Sequence, residues 1–93
     1  MSGTINLLTL AQAAIGFTQA VADTAHCKDA LKAGYHAWRV ENRNFDDIER
    51  RSPEWDSMMA DTADEYRELQ NAKSRERKAK YRLLAMAKQW EGA

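Results

Sequence analysis

Apolar residues recur at spacings of three and four along two long stretches of this chain, the pattern of a helix with one buried face. In the first stretch Leu7, Leu10, Ala14, Phe17 and Val21 form a stripe, and Leu8, Ala11, Ile15 and Ala22 form a second one beside it. The apolar surface is therefore wide, and a helix of this kind expects neighbours on two sides. Thr4 is the preferred N-cap before Ile5, with Ser2 competing. The same heptad frame brings Leu31, Tyr35, Trp38 and Phe45 into phase with Val21, so this first arm runs over about residues 4–44. Polar Thr24 and Lys28 fall on the stripe, Asp23 or Thr24 suits a new N-cap, and Gly34 costs about 1 kcal/mol in a helix interior. A kink or short break is expected between residues 23 and 28. Small residues four apart, Ala14, Thr18 and Ala22, and Gly16 and Ala20 after Gln12, suit close backbone approach, although alanine is also simply a good helix former.

The second stretch opens with the strongest local signal in the chain. Ser52 is an N-cap, Pro53 occupies the first helical position, and Glu54 and Asp56 put negative charge where the helix dipole favours it. Trp55, Met58, Thr62, Tyr66, Leu69, Ala72, Glu76, Ala79, Leu83, Met86 and Trp90 then follow at threes and fours. This predicts one helix over residues 53–90, about 57 Å long at 1.5 Å per residue. The stripe is strong at both ends and poor between Ala72 and Lys80, so the middle is expected to face solvent or a polar partner. A turn is expected over 45–52, where Asp46 and Asp47, with Asn44 just before, favour local side-chain to backbone bonding, and Phe45 and Ile48 tuck back on the core.

A compact chain of this length has a diameter of about 30 Å, which such an arm overshoots. The fold class expected is all-α: a single domain, residues 1–93, forming an elongated antiparallel helical hairpin that associates as a homo-oligomeric coiled-coil bundle, with a dimer favoured. Leu7, Leu10, Ala14, Phe17, Val21, Trp55 and Trp90 are the residues expected at the oligomer interface.

Charge changes the picture through its distribution. The chain has 14 basic and 14 acidic residues, which gives no overall pull toward nucleic acid or anionic membrane. Residues 46–68, however, carry nine acids against three bases, and residues 73–88 seven bases against Glu76 alone. Complementing the helix dipole accounts for part of this polarity. Alternatively, two such helices aligned antiparallel would set acid against base and fix their orientation. The first 22 residues carry no charge, yet Asn6, Thr9, Gln12, Thr18 and Gln19 interrupt any run of spanning length and no basic segment precedes it, so no membrane span or signal peptide is expected. The lone Cys27 excludes an intramolecular disulfide and fits a reducing cytoplasm.

Candidate chemistry is sparse. Lys73, Arg75, Arg77, Lys78, Lys80, Tyr81 and Arg82 form a basic helical segment suited to a partner, and Tyr81 is the aromatic residue most expected to be exposed. From Asn71 to Lys78 the spacing resembles a bZIP basic region over about eight residues, but Ala79 stands where that family has arginine and no leucine heptads follow. Asp61, Asp64, Glu65 and Glu68 share a helix face, as metal-binding bundles require, but Asp23, His26 and Asp29 are the only acids or imidazoles at helical spacing to oppose them. A solvated acidic face is expected instead. His26 and Cys27 are adjacent and point about 100° apart, and His36 lies about 15 Å further along the axis, so no zinc site or thiol dyad is expected. No cofactor and no enzymatic activity are expected. The function these residues suit is protein binding, as a small phage- or mobile-element-type inhibitor of a host protein or defence complex. The alternatives are a structural adaptor subunit and, less favoured, a nucleic-acid binder using residues 73–82.

Overall fold

The computed structural model describes residues 6–92. Three helices follow in order: α1 (Leu7–Asn42), α2 (Pro53–Asp61) and α3 (Ala63–Gly92). α1 packs antiparallel along α3, and the molecule measures 62 × 20 × 18 Å with a radius of gyration of 19.4 Å. A compact chain of this length would have a radius of gyration of about 12 Å. The protein is thus an all-α elongated hairpin, with no strand among the described residues.

α1 is capped by Asn6, whose side chain accepts from Thr9 N at 2.7 Å; Thr4 and Ser2 lie outside the described residues. It then runs 36 residues without interruption, so the break expected at 23–28 does not occur. Thr24 is buried and its hydroxyl donates to Ala20 O at 3.1 Å, which satisfies it inside the helix, while Lys28 points to solvent. Arg43 ends the helix in the left-handed region at φ 52°, and Asn44 N donates back to Arg39 O at 3.0 Å, the wrap of a Schellman cap. The Arg39 guanidinium then holds the turn through Asn44 O and Asp46 O at 3.3 and 2.9 Å. Phe45 remains 65% exposed instead of tucking inward, and Ile48 is half-buried.

The second arm, expected as one helix, carries the interruption instead. Ser52 and Pro53 start α2 as their types dictate, with Trp55 N donating to Ser52 Oγ at 3.1 Å. At Thr62 the backbone departs from helix, φ −107° and ψ 18°. Its hydroxyl donates to Met58 O at 2.8 Å, the carbonyl that already receives its own N–H at 3.1 Å. Sharing a carbonyl in this way bends a helix. Tyr66 N donates to Thr62 O at 3.0 Å, so hydrogen bonding resumes at once in α3.

The seam follows a seven-residue spacing. On α1 Leu10, Phe17, Thr24, Leu31 and Trp38 alternate with the small Ala13, Ala20, Cys27 and Gly34, and all are buried or half-buried. On the second arm Thr62, Leu69, Glu76 and Leu83 alternate with Glu65, Ala72, Ala79 and Met86. Glu65, not Tyr66, takes the seam position after Thr62, and Tyr66 is left 49% exposed. Of the small residues expected at close contact, Ala14 and Ala20 are half-buried, whereas Thr18, Ala22 and Gly16 are exposed.

Among the described residues every fully buried one, from Thr24 to Trp38 on α1 and from Met58 to Ala72 opposite, lies in the half of the rod nearest the turn. The expectation that the second arm is anchored at both ends and solvated in its middle is therefore corrected along the seam and at its terminal end, while Lys73, Arg75, Arg77, Lys78 and Lys80 do face solvent. Ala72 is buried, Glu76 and Ala79 are half-buried, and the terminal Trp90 is exposed. Small side chains let the arms approach there, so the inner edge of that section closes without large apolar residues.

Candidate interaction surfaces

The antiparallel register decides what each charged segment faces. Gly34 lies against Thr62, Trp38 Nε1 donates to Ser57 Oγ at 3.3 Å, and toward the free ends Gln12, Ala13 and Gly16 share an open groove with Lys78, Ala79 and Arg82. The basic half of α3 is consequently laid beside the uncharged first half of α1. Among the described residues the only ion pair is Asp64 with Arg67, 3.0 Å apart within α3.

Lys73, Arg75, Arg77, Lys78, Lys80, Tyr81 and Arg82 are all exposed. They do not share a face. Lys78 and Arg82 stand on the flank of the groove, and by helical phase Arg75 shares that flank, Lys73 and Lys80 stand on the opposite one, and Arg77 and Tyr81 lie toward the back. A ring of cations differs from the one-sided stripe that grips a phosphate backbone.

The residues expected at an oligomer interface are also divided by the fold. Leu10, Ala14 and Phe17 are half-buried against the partner arm of the same hairpin. Trp55 is half-buried at the turn, with the Arg50 guanidinium 5.8 Å from its ring centroid. Leu7, Val21 and Trp90 are exposed. With them stand Leu8, Ile15 and Leu84, at 68%, 58% and 53% exposure, which the sequence reading did not place at a surface. Leu84 lies beside the Leu83 stripe and carried no such signal, whereas for Leu8 and Ile15 the signal was present in the second apolar stripe, read there as a face needing a neighbour. The hairpin supplies none on that side.

The acids divide as well. Asp61, Asp64 and Glu68 are exposed, whereas Glu65 turns into the seam and its Oε2 is buried with no hydrogen-bond partner among the described residues. No three His, Cys, Asp or Glu side chains converge to hold a metal among the described residues. His26 and His36 are exposed and Cys27 is half-buried. Burial, with the neighbouring Tyr66 adding to it, raises the Tyr35 phenol above its ordinary value. The side-chain hydrogen bonds among the described residues cap helices, pin the turn, return a hydroxyl or amide to a carbonyl four residues back, or join Trp38 to Ser57 and Arg67 to Asp64, and none links a nucleophile to a base. No helix among the described residues is long and apolar enough to cross a membrane. No protein-family model, curated protein or solved structure matches this chain.

Proposed function

We propose that this hairpin is a non-enzymatic protein-binding module that engages its target through the free half of the rod. One observation carries the reading: Leu7, Leu8, Ile15, Val21, Leu84 and Trp90 are all exposed in the half that has no fully buried residue among the described residues. Large apolar side chains concentrated at one end of a small rod mark a contact surface. The turn half supplies the rigid scaffold and the free half supplies the contacts. In that role the protein acts as a small inhibitor of the phage or mobile-element type, occupying a host protein inside the reducing cytoplasm, where the half-buried Cys27 thiol stays reduced.

The test is affinity capture from host lysate with the wild-type chain beside the variant Leu8→Lys, Ile15→Lys, Leu84→Lys. All three positions are exposed on helices, so circular dichroism should show unchanged helicity. A protein retained by the wild type and lost from the variant is the expected result. Retention of nucleic acid, or of the same proteins by both chains, would overturn it.

A further inference from the structure

One flank of the rod carries a charge pattern that is its own complement when reversed. Along α2 and α3, Asp61, Asp64 and Glu68 are followed, beyond Asn71, by Arg75, Lys78 and Arg82. Steps of three and four place Asp64, Glu68, Arg75, Lys78 and Arg82 on one side of α3, Asp61 ends α2 just ahead of the Thr62 interruption, all six are exposed, and Lys78 and Arg82 line the groove with Gln12 and Gly16. None of the three bases has an ion-pair partner among the described residues, and Asp64 alone of the acids does.

We propose that this flank binds a second copy of the chain, antiparallel, about a two-fold axis crossing α3 near Asn71. That axis sets Asp61 opposite Arg82, Asp64 opposite Lys78 and Glu68 opposite Arg75, each pair occurring twice, as an isologous contact requires. The register within the hairpin carries the same axis across α1 beside Thr24. There it sets Asp23 opposite His26 and Gly16 opposite Ala33, so a carboxylate meets an imidazole N–H that can donate to it, and two of the smallest residues meet, on α1. Gly16 has open space beside it, with no atom beyond its chain neighbours and its own stretch of helix backbone within 4 Å of where a Cβ would lie, which leaves room for a neighbouring backbone.

The competing arrangements are worse by charge. Parallel copies, or copies joined through their free halves, place acid on acid or Lys73–Lys88 on Lys73–Lys88, and like charges brought together suppress an interface. Size permits the antiparallel one. A flank 62 Å long and 20 Å wide presents on the order of 1,200 Å² of projected face, against about 800 Å² per partner in a standard interface. Leu7, Val21 and Leu84 stand on the other side of the seam and stay open, so self-association and capture of a different protein succeed or fail separately.

Sedimentation velocity tests this directly. The wild-type chain at low ionic strength should sediment at twice its 10.6 kDa mass and shift toward monomer as salt is raised. The variant Arg75→Glu, Lys78→Glu, Arg82→Glu and the reciprocal variant Asp61→Lys, Asp64→Lys, Glu68→Lys should each self-associate at least tenfold more weakly. Mixed in equal amounts, the two should form a heterodimer, a readout that requires both to be folded. A wild-type monomer at low salt overturns the proposal, as does a dimer indifferent to salt and to both variants, or folded variants that stay apart when mixed.

Discussion

Gly34 lies so close beneath Thr62 that a Cβ added to it would stand 3.1 Å from Thr62 Cγ2. Thr62 is 1% exposed and its hydroxyl is committed to Met58 O, so it has little room to move. Two effects then oppose each other in Gly34→Ala. Helix propensity favours alanine by about 1 kcal/mol, and crowding against Thr62 takes much of that back. In the wild-type background the change should lie within about 0.5 kcal/mol of zero. In a Thr62→Ser background, which keeps the hydroxyl and removes Cγ2, the same substitution should stabilise by about 1 kcal/mol. Urea unfolding of the four proteins in this cycle measures the coupling, and simple additivity would mean that the two residues do not touch.

Trp38 is the largest buried side chain, at 4% exposure. Trp38→Ala should cost about 3–5 kcal/mol. That is a large share of the roughly 5–15 kcal/mol holding a domain together, so helicity at ambient temperature should fall visibly. Ser57→Ala removes only the acceptor for Trp38 Nε1, a 3.3 Å bond at a partly exposed site, and should cost at most about 1 kcal/mol. Equal losses from the two substitutions would place the contribution in the hydrogen bond and not in the packed ring.

Periodicity made the hairpin legible because both arms repeat apolar residues at threes and fours, and Ser52-Pro53 announced the second arm through capping chemistry alone. The position of the interruption was not legible. Thr24 and Thr62 are both buried threonines whose hydroxyls bond a carbonyl four residues back, yet only Thr62 leaves helical geometry. Thr62 is the one seated against Gly34, a contact between arms that no local pattern contains. The same limit hid where the core sits. Leu31 and Leu69 are buried while Leu8 is exposed, although each lies on an apolar stripe. Which stripe closes is settled by register and by the small residues that let the arms approach. Of the surface, the charge polarity was legible as a run, but its arrangement into a ring around α3 with one self-complementary flank required helical phase fixed by the seam.

Tyr35 gives the hairpin a pH dependence. Its phenol titrates above the ordinary 10.0 in the folded chain because burial, and secondarily Tyr66, disfavours the phenolate. A raised folded value means that the unfolded chain loses its proton first. The stabilising contribution is complete below the unfolded value and is lost as pH rises through the folded one. Thermal unfolding followed into the alkaline range should show the wild type losing stability more steeply than Tyr35→Phe beyond pH 10.0. Parallel profiles for the two would show that burial of the phenol is not felt energetically.

The central claim is that the turn half holds the fold and the free half is left open for a partner. Hydrogen exchange read by mass spectrometry at high salt, where charge-driven self-association is suppressed, tests it most directly. Amides between Thr24 and Trp38 and between Met58 and Ala72 should be the slowest to exchange. Those between Leu8 and Val21 and between Lys80 and Trp90 should exchange at least tenfold faster. Uniform protection along both arms, or slower exchange at the free ends than at the turn, would contradict the account.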